Sequence, residues 1–312
     1  MGNTNIEVSE IAFGGVEIGV PYGIGVKSEA DMLAEQDAVC LLNKAIDAGI
    51  NFFDTARLYG ESERIMGQAF TDKRKLVVIA SKCRHLRQAD GHIIPGTSLE
   101  RFIRDSLAES LKMLRTDYLD LYMVHYADAE ILGNEAVARV FSKLKDEGLV
   151  RAIGISVYKP EETKIALDSG IWDAIQLPFN LMDQSHGQHF GQAYQMGVGI
   201  IVRSVLMRGL LTDRAERLHP ALHDVAQHIA DYRVLLAQKF TGLPQFATQF
   251  ALSHEAVSSV LVGIDKPEYL EDAVACANAQ YFDEALLKQA QAMKYPRPEA
   301  LNLAEWDKNG WL

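Results

Sequence analysis

Eight times along this chain, a short and almost wholly apolar run gives way to a longer stretch with helical periodicity. The runs are Ile11–Gly14, Phe52–Asp54, Leu76–Ser81, Leu119–Val124, Ala152–Ser156, Ala174–Leu177, Gly199–Arg203 and Ser259–Gly263. Strands that are apolar on both faces need cover on both faces, which is the condition of a parallel sheet wrapped by helices. The intervening stretches can supply that cover. Ile103, Leu107, Leu111 and Leu114 recur on one helical face, and Thr97 with Glu100 has the form of a capping box before them. Lys143–Gly148 and Asp47–Gly49 each end on a glycine suited to the position just past a helix. Eight βα repeats across about 280 residues match the count of an α/β (β/α)8 TIM barrel, with a doubly wound sheet the competing layout. No Pro/Ser-rich linker, low-complexity run or composition break divides the chain, so residues 1–312 read as a single domain.

Composition narrows the partners. A formal charge of −11 argues against nucleic acid or an anionic membrane, although local charge can still receive an anionic small molecule. Cys40, Cys83 and Cys276 are widely separated and form no C-x-x-C pair, which suits a reduced, cytoplasmic chain. The start, Met1-Gly2-Asn3-Thr4-Asn5-Ile6, has no basic-then-apolar leader pattern, and Ile6 stands where a myristoylation motif needs Ser or Thr. No apolar stretch approaches the ~20 residues that span a bilayer.

The ends of the runs carry the chemistry. Phe52–Asp54 closes on an acid, with Tyr59 following; Lys82 comes after the third run and His125 after the fourth. In a barrel, the C-terminal ends of the strands converge on one mouth. A phenol has an ordinary pKa of about 10, and a neighbouring ammonium favours the phenolate. A carboxylate behind that ammonium keeps it charged, and an imidazole can orient a carbonyl oxygen. Singly, Asp54 also suits a helix N-cap, Tyr59 a core position and His125 a buried, satisfied histidine. All four at one mouth point to a proton-transfer site.

The segment Gly49-Ile50-Asn51-Phe52-Phe53-Asp54-Thr55-Ala56, followed by Tyr59-Gly60, Ser62-Glu63 and Gly67, resembles the first signature of the aldo-keto reductases. The resemblance covers nearly the full length. It implies a catalytic tetrad of Asp54, Tyr59, Lys82 and His125, with Tyr59 the acid in carbonyl reduction and the base in alcohol oxidation. It also implies a nicotinamide dinucleotide bound without a Rossmann domain, and no G-x-G-x-x-G follows any strand here. Ser156 and Gln176 are similar to the family's carboxamide ligands, while Val157 replaces an Asn. Arg203, Ser204, Leu206 and Gly209 resemble the segment along nicotinamide and pyrophosphate; Arg203 stands where an aromatic ring often stacks. Gly263, Lys266, Tyr269 and Asp272 resemble the adenosine-phosphate loop and its helix. That loop departs most from the family, with Tyr269 in place of Arg or Gln, Ala273 in place of an Asn, and Asp265 adding negative charge. Lys266 is read as its one nearby cation. The balance tips towards NADP(H), with NAD(H) the other option.

The substrate implied is a small carbonyl or a sugar-like molecule. Glu17, Tyr22, Arg84, Tyr126 and Tyr158 near the mouth tilt the reading towards hydroxylated compounds. The assembly is expected to be a monomer or homo-oligomer. A cofactor-sensing barrel subunit with little or no catalysis is the alternative, since the family includes potassium-channel β subunits; a metal-dependent sugar isomerase is a further rival. His186, His189, His219, His223 and His228 cluster in sequence without metal-ligand spacing, so no metal site is expected. The tail with Tyr295, Trp306 and Trp311 either covers the mouth or packs on the barrel wall. The N-terminus is short, so a hairpin closing the barrel bottom is expected to be reduced.

Overall fold

The computed structural model describes residues 1–215, 218–236, 240–279 and 281–312. Eight parallel strands close into a barrel in sequence order. They are β1 (Ile11–Gly14), β2 (Phe52–Asp54), β3 (Val78–Lys82), β4 (Leu119–Val124), β5 (Val150–Ser156), β6 (Ala174–Pro178), β7 (Gly199–Arg203) and β8 (Val257–Gly263). Around them run α1 (Glu35–Asp47), α2 (Ser62–Ala69), α3 (Gly96–Leu114), α4 (Ala129–Leu132), α5 (Glu135–Asp146) and α6 (Pro160–Ser169). The circuit continues with α7 (Phe190–Met196), α8 (His223–Leu235), α9 (Leu243–Leu252) and α10 (Pro267–Cys276), then α11 (Glu284–Ala292) and α12 (Leu303–Lys308).

Strand side chains alternate between two faces, and the two faces separate cleanly into two apolar cores. Ala12, Phe52, Ala80, Leu121, Met123, Ala152, Ala174 and Ile201 form the barrel interior. Phe13, Phe53, Ile79, Tyr122, Ile155, Ile175, Val202 and Val260 point outward and pack with the helices. Two residues beyond an interior position, the chain faces inward again. That parity carries Gly14, Asp54, Lys82, His125, Ser156, Gln176, Arg203 and Gly263 to the inner side of the mouth. The register agrees, pairing Gly14 with both Asp54 and Gly263, and Ser156 with Gln176.

Several local expectations need correction. β3 starts at Val78, because Arg74–Leu76 form a 3-10 turn with Leu76 exposed, and Lys82 belongs to the strand instead of following it. Thr97 and Glu100 form no capping box. The helix begins at Gly96 after Pro95, so Thr97 already lies inside the first turn, and Glu100 accepts bonds from Arg104 and Lys143. The two glycine stops are as expected: Gly49 and Gly148 have φ of 93° and 73°. At the barrel bottom no strand precedes β1; Ile6 is buried against the interior cluster, and the Met1 amino group donates to its carbonyl. Among the described residues no helix is long and apolar enough to cross a membrane.

Candidate active site

β2 and β3 lie side by side, and their inward ends bring an acid and an amine together. Lys82 Nζ donates to Asp54 Oδ2 at 2.6 Å and to the Thr55 carbonyl at 3.0 Å, and it lies 3.4 Å from the Tyr59 hydroxyl. Asp54 uses its other oxygen to accept from Gln176 Nε2 at 2.8 Å. Ser156 Oγ in turn donates to Gln176 Oε1 at 3.4 Å, so four strands share one polar chain. His125 meets Tyr59 edge to face, with ring centres 5.4 Å apart. A second buried acid, Glu63, accepts from Ser81 Oγ and pairs with Arg57 beneath this cluster.

Burial governs the protonation states. Lys82 is fully buried, which lowers its pKa, and the Asp54 carboxylate is the main opposing influence. Tyr59 is pushed well above its ordinary value, first by burial and then by the Asp54 charge, while the Arg203 cation pulls the other way. The expected lowering by Lys82 is therefore outweighed: burial and the Asp54 charge set the net direction upward. His125 drops to about 2 through burial and the nearby Lys82 cation. It is a neutral imidazole across the ordinary pH range, and its Nδ1 is buried without a partner. The cluster holds a neutral phenol and a neutral imidazole, both facing the same cavity.

That cavity has a volume of about 890 Å3, within the ~300–1,000 Å3 usual for small-molecule and cofactor sites. Asp54, Tyr59 and His125 line its inner end, with Lys82 sealed behind them. Ser156, Gln176, Arg203, Ser204 and Leu206 line it, as do Gly209, Gly263, Tyr269 and Asp272. Lys266 does not; it caps α10 and sits 5.5 Å from the Tyr269 ring centre. Glu17, Tyr22 and Tyr158 also line the cavity, whereas Tyr126 packs on Tyr158 and Arg84 pairs with Glu109 on the surface.

Arg203 is fixed before any ligand arrives. Its Nη2 donates to the Val157 carbonyl at 2.9 Å, and its guanidinium stacks 4.1 Å over the Tyr158 ring. Arg208 lies 4.9 Å over Tyr22 in the same manner. Among the described residues neither arginine has a carboxylate partner. Around Arg208 the chain turns sharply, with Ser204, Met207 and Arg208 at φ of 58°, 49° and 57° ahead of Gly209 at 100°. Non-glycine residues in that region cost about 1–3 kcal/mol each and cluster at ligand clamps. Two unpaired guanidiniums, a glycine-lined wall and the Ser204 hydroxyl make a donor set that fits a dinucleotide carrying two phosphates.

Sequence reasoning missed Arg214. It reaches from the loop after β7 to Asp265 after β8, at 2.8 Å, and lies 5.2 Å over the Tyr269 ring. Lys266 is thus not the only cation near that loop, and the Asp265 charge is already balanced. Thr241, Gly242, Gln245 and Thr248, at the start of α9, also line the cavity. Their one sequence signal was a Gly-Leu-Pro helix start. The histidine group disperses: His186 binds Thr163 and the Tyr158 carbonyl, and His228 binds the Met293 carbonyl. Among the described residues no group of three His, Cys, Asp or Glu side chains could hold a metal. Tyr295 and Trp306 are buried in the outer core and Trp311 stacks on His219, while among the described residues none after Cys276 is found on the cavity wall.

Residues 10–293 match the model of the Aldo/keto reductase family. The chain is 29% identical to L-galactose dehydrogenase of Arabidopsis thaliana, over 95% of this chain and 93% of the relative. It is 28% identical to the NADH-specific methylglyoxal reductase of Escherichia coli, over 91% and 94%. Its fold is similar to that of aldo-keto reductase AKR11C1 from Bacillus halodurans in holo form, with a TM-score of 0.79, 25% identity, and coverage of 94% and 95%.

Proposed function

Since the chain belongs to the aldo/keto reductase family, we propose that this oxidoreductase interconverts carbonyl compounds and alcohols, with a nicotinamide dinucleotide as hydride carrier and Tyr59 as proton donor. The observation that carries the reading is the buried Asp54–Lys82–Tyr59 chain, with His125 beside it, opening on a cavity of about 890 Å3. When bound, the dinucleotide supplies or accepts the hydride. Everything else is the work of this chain's own groups. Arg203, Arg208 and Ser204 would hold it; Ser156 and Gln176 would orient its carboxamide.

His125, neutral and on the cavity wall, hydrogen-bonds the carbonyl oxygen and holds it against the Tyr59 hydroxyl. Tyr59 then donates its proton as negative charge develops on that oxygen. Lys82 becomes more effective at that moment, because the forming tyrosinate is the second anion its ammonium can serve at 3.4 Å. A phenol whose pKa lies well above its usual value is protonated at neutral pH, which favours reduction as the direction run there. Oxidation needs Tyr59 deprotonated and is favoured by alkaline solution.

Tyr22 and Tyr158 on the wall suit a hydroxylated, sugar-like carbonyl, and the free cysteines suit a cytoplasmic enzyme. For the cofactor, Lys266 lies off the wall and Arg214 is engaged with Asp265. Little positive charge remains for an extra phosphate, so we infer weak discrimination between NADP(H) and NAD(H). The test is a spectrophotometric screen of aldoses, aldehydes, ketones and polyols with each reduced or oxidised cofactor. Turnover of at least one pair is expected, and it should disappear in Tyr59→Phe. Stoichiometric retention of cofactor with no turnover of any pair would instead support a cofactor-sensing subunit.

A further inference from the structure

Glu17 has no role in the proton-transfer chemistry, yet its surroundings are those of a binding group. It sits in the loop after β1 and lines the cavity that Tyr59 and His125 share with Asp265, Tyr269 and Asp272. It lies close enough to both Asp54 and Asp265 to feel the charge of each. One carboxyl oxygen, Oε1, lies so close to Gly263 that a Cβ there would come within 2.1 Å of it. The other, Oε2, is buried and has no hydrogen-bond partner. Leaving a buried carboxyl oxygen unsatisfied costs about 1–3 kcal/mol, so such a group calls for a partner from outside the chain. Gly14 at the end of β1, Gly15 just after it and Gly263 at the end of β8 line the cavity beside it, and the absence of a side chain at Gly263 is what leaves room for the Glu17 carboxyl.

We propose that Glu17, as the neutral carboxylic acid, donates a hydrogen bond to the pyrophosphate of the bound dinucleotide, and that its ionisation opposes binding. The inference rests on the reading of a nicotinamide dinucleotide given above. With the nicotinamide at Tyr59 and the rest of the molecule extending towards Tyr269, a group that feels both Asp54 and Asp265 faces the middle of the ligand, which is its pyrophosphate. An O–H donor to an anionic oxygen is among the stronger hydrogen bonds, whereas a carboxylate in the same place would repel it.

Burial raises the Glu17 pKa to about 8, and the charges facing it are few. Its own backbone N–H, and less strongly Arg214, which is itself paired with Asp265, pull it down, while Asp265 and Asp54 push it up. Tyr22, on the same loop, is neutral, with its pKa raised by burial. Glu17 therefore carries its proton below about pH 8 and loses it above. If only the protonated form binds, the dissociation constant should rise about 30-fold between pH 7 and pH 9.5, following a single proton with a pKa of about 8.

The experiment measures dissociation constants for NADH and for ADP-ribose from pH 7 to 9.5 by fluorescence quenching, in wild type and Glu17→Gln. ADP-ribose keeps the pyrophosphate but lacks nicotinamide, so its binding is insensitive to titration of Tyr59 and Lys82. The expected result is the same weakening for both ligands in wild type and a flat profile in Glu17→Gln, which donates from an amide at every pH. Binding that is flat in wild type, or a pH dependence that persists in Glu17→Gln, overturns the assignment of Glu17 alone. Failure of both ligands to bind at any pH overturns the dinucleotide reading and this inference with it, and binding of NADH without ADP-ribose overturns the pyrophosphate assignment alone.

Discussion

Asp54→Asn isolates the electrostatic half of the buried pair. The substitution keeps the shape of the side chain. The Asn oxygen can stay on Lys82 Nζ, where Asp54 now accepts at 2.6 Å. Its new amide then faces Gln176, whose own amide must turn over, and Ser156 Oγ at 3.4 Å from Gln176 can accept from the flipped group. The hydrogen bonds are thus recoverable, and what is lost is the counter-charge. Lys82 is fully buried and its pKa is already lowered by burial; without Asp54 it sheds its proton.

An unfolded lysine titrates near 10.4, so a neutral Lys82 in the folded variant costs about 1.36 kcal/mol for each pH unit below that value. The cost is roughly 4–5 kcal/mol at pH 7 and under about 1 kcal/mol at pH 10. The pH 7 figure agrees with the ~3–5 kcal/mol typical of breaking a buried ion pair. Between those pH values the unfolded variant binds one proton more than the folded variant, so its stability must rise with pH. In wild type the Asp54 charge keeps Lys82 protonated further up the scale, and the same rise is smaller. Urea unfolding at pH 7, 8, 9 and 10 reads the difference directly. The gap between wild type and Asp54→Asn should be widest at pH 7 and should close towards pH 10. Parallel stability curves, or a variant as stable as wild type at pH 7, would show that Asp54 does not hold the Lys82 charge.

Three further outcomes follow from the same geometry. Tyr59→Phe should lower turnover by about 100- to 10,000-fold, the range of general acid–base catalysis, while dinucleotide affinity stays within a few-fold; stopped-flow hydride transfer and fluorescence titration measure the two separately. Arg203→Leu removes a cation that pulls the Tyr59 pKa down, so the alkaline rise of alcohol oxidation should move to higher pH; an unmoved profile would mean that this arginine is not coupled to the phenol. Asp265→Ser should strengthen NADPH binding relative to NADH by freeing Arg214, whereas Lys266→Ala should leave the ratio nearly unchanged; a large change in Lys266→Ala would return the 2′-phosphate to that lysine.

The residues legible in the sequence are those whose positions follow from strand parity. Once Phe52, Ala80, Met123 and Ala174 are interior positions, Asp54, Lys82, His125 and Gln176 must face inward at the next step, whatever the loops do. Apolar runs of the right length and number sufficed for the barrel, because the period-2 rule and the need to cover both faces of a parallel sheet are local constraints. Local reasoning failed where two local signals competed. Thr97 and Glu100 had the spacing of a cap, but Pro95 and Gly96 start the helix earlier and enclose Thr97 within it.

The rest belongs to the tertiary structure. The Arg214–Asp265 pair joins residues from two loops separated by α8 and α9, so no spacing in the sequence announces it, and it cancels the charge that had made Asp265 the odd residue of its loop. Lys266 follows Asp265 directly, yet one residue points into the cavity and the other away. Protonation states were equally hidden: the sequence supplied a lysine beside a tyrosine, which favours a low phenol pKa, and burial with Asp54 reversed it. Local pattern determined which groups meet at the mouth of this barrel. Desolvation and charge are sums over everything nearby in space, so only the folded chain could decide which of those groups carry a proton.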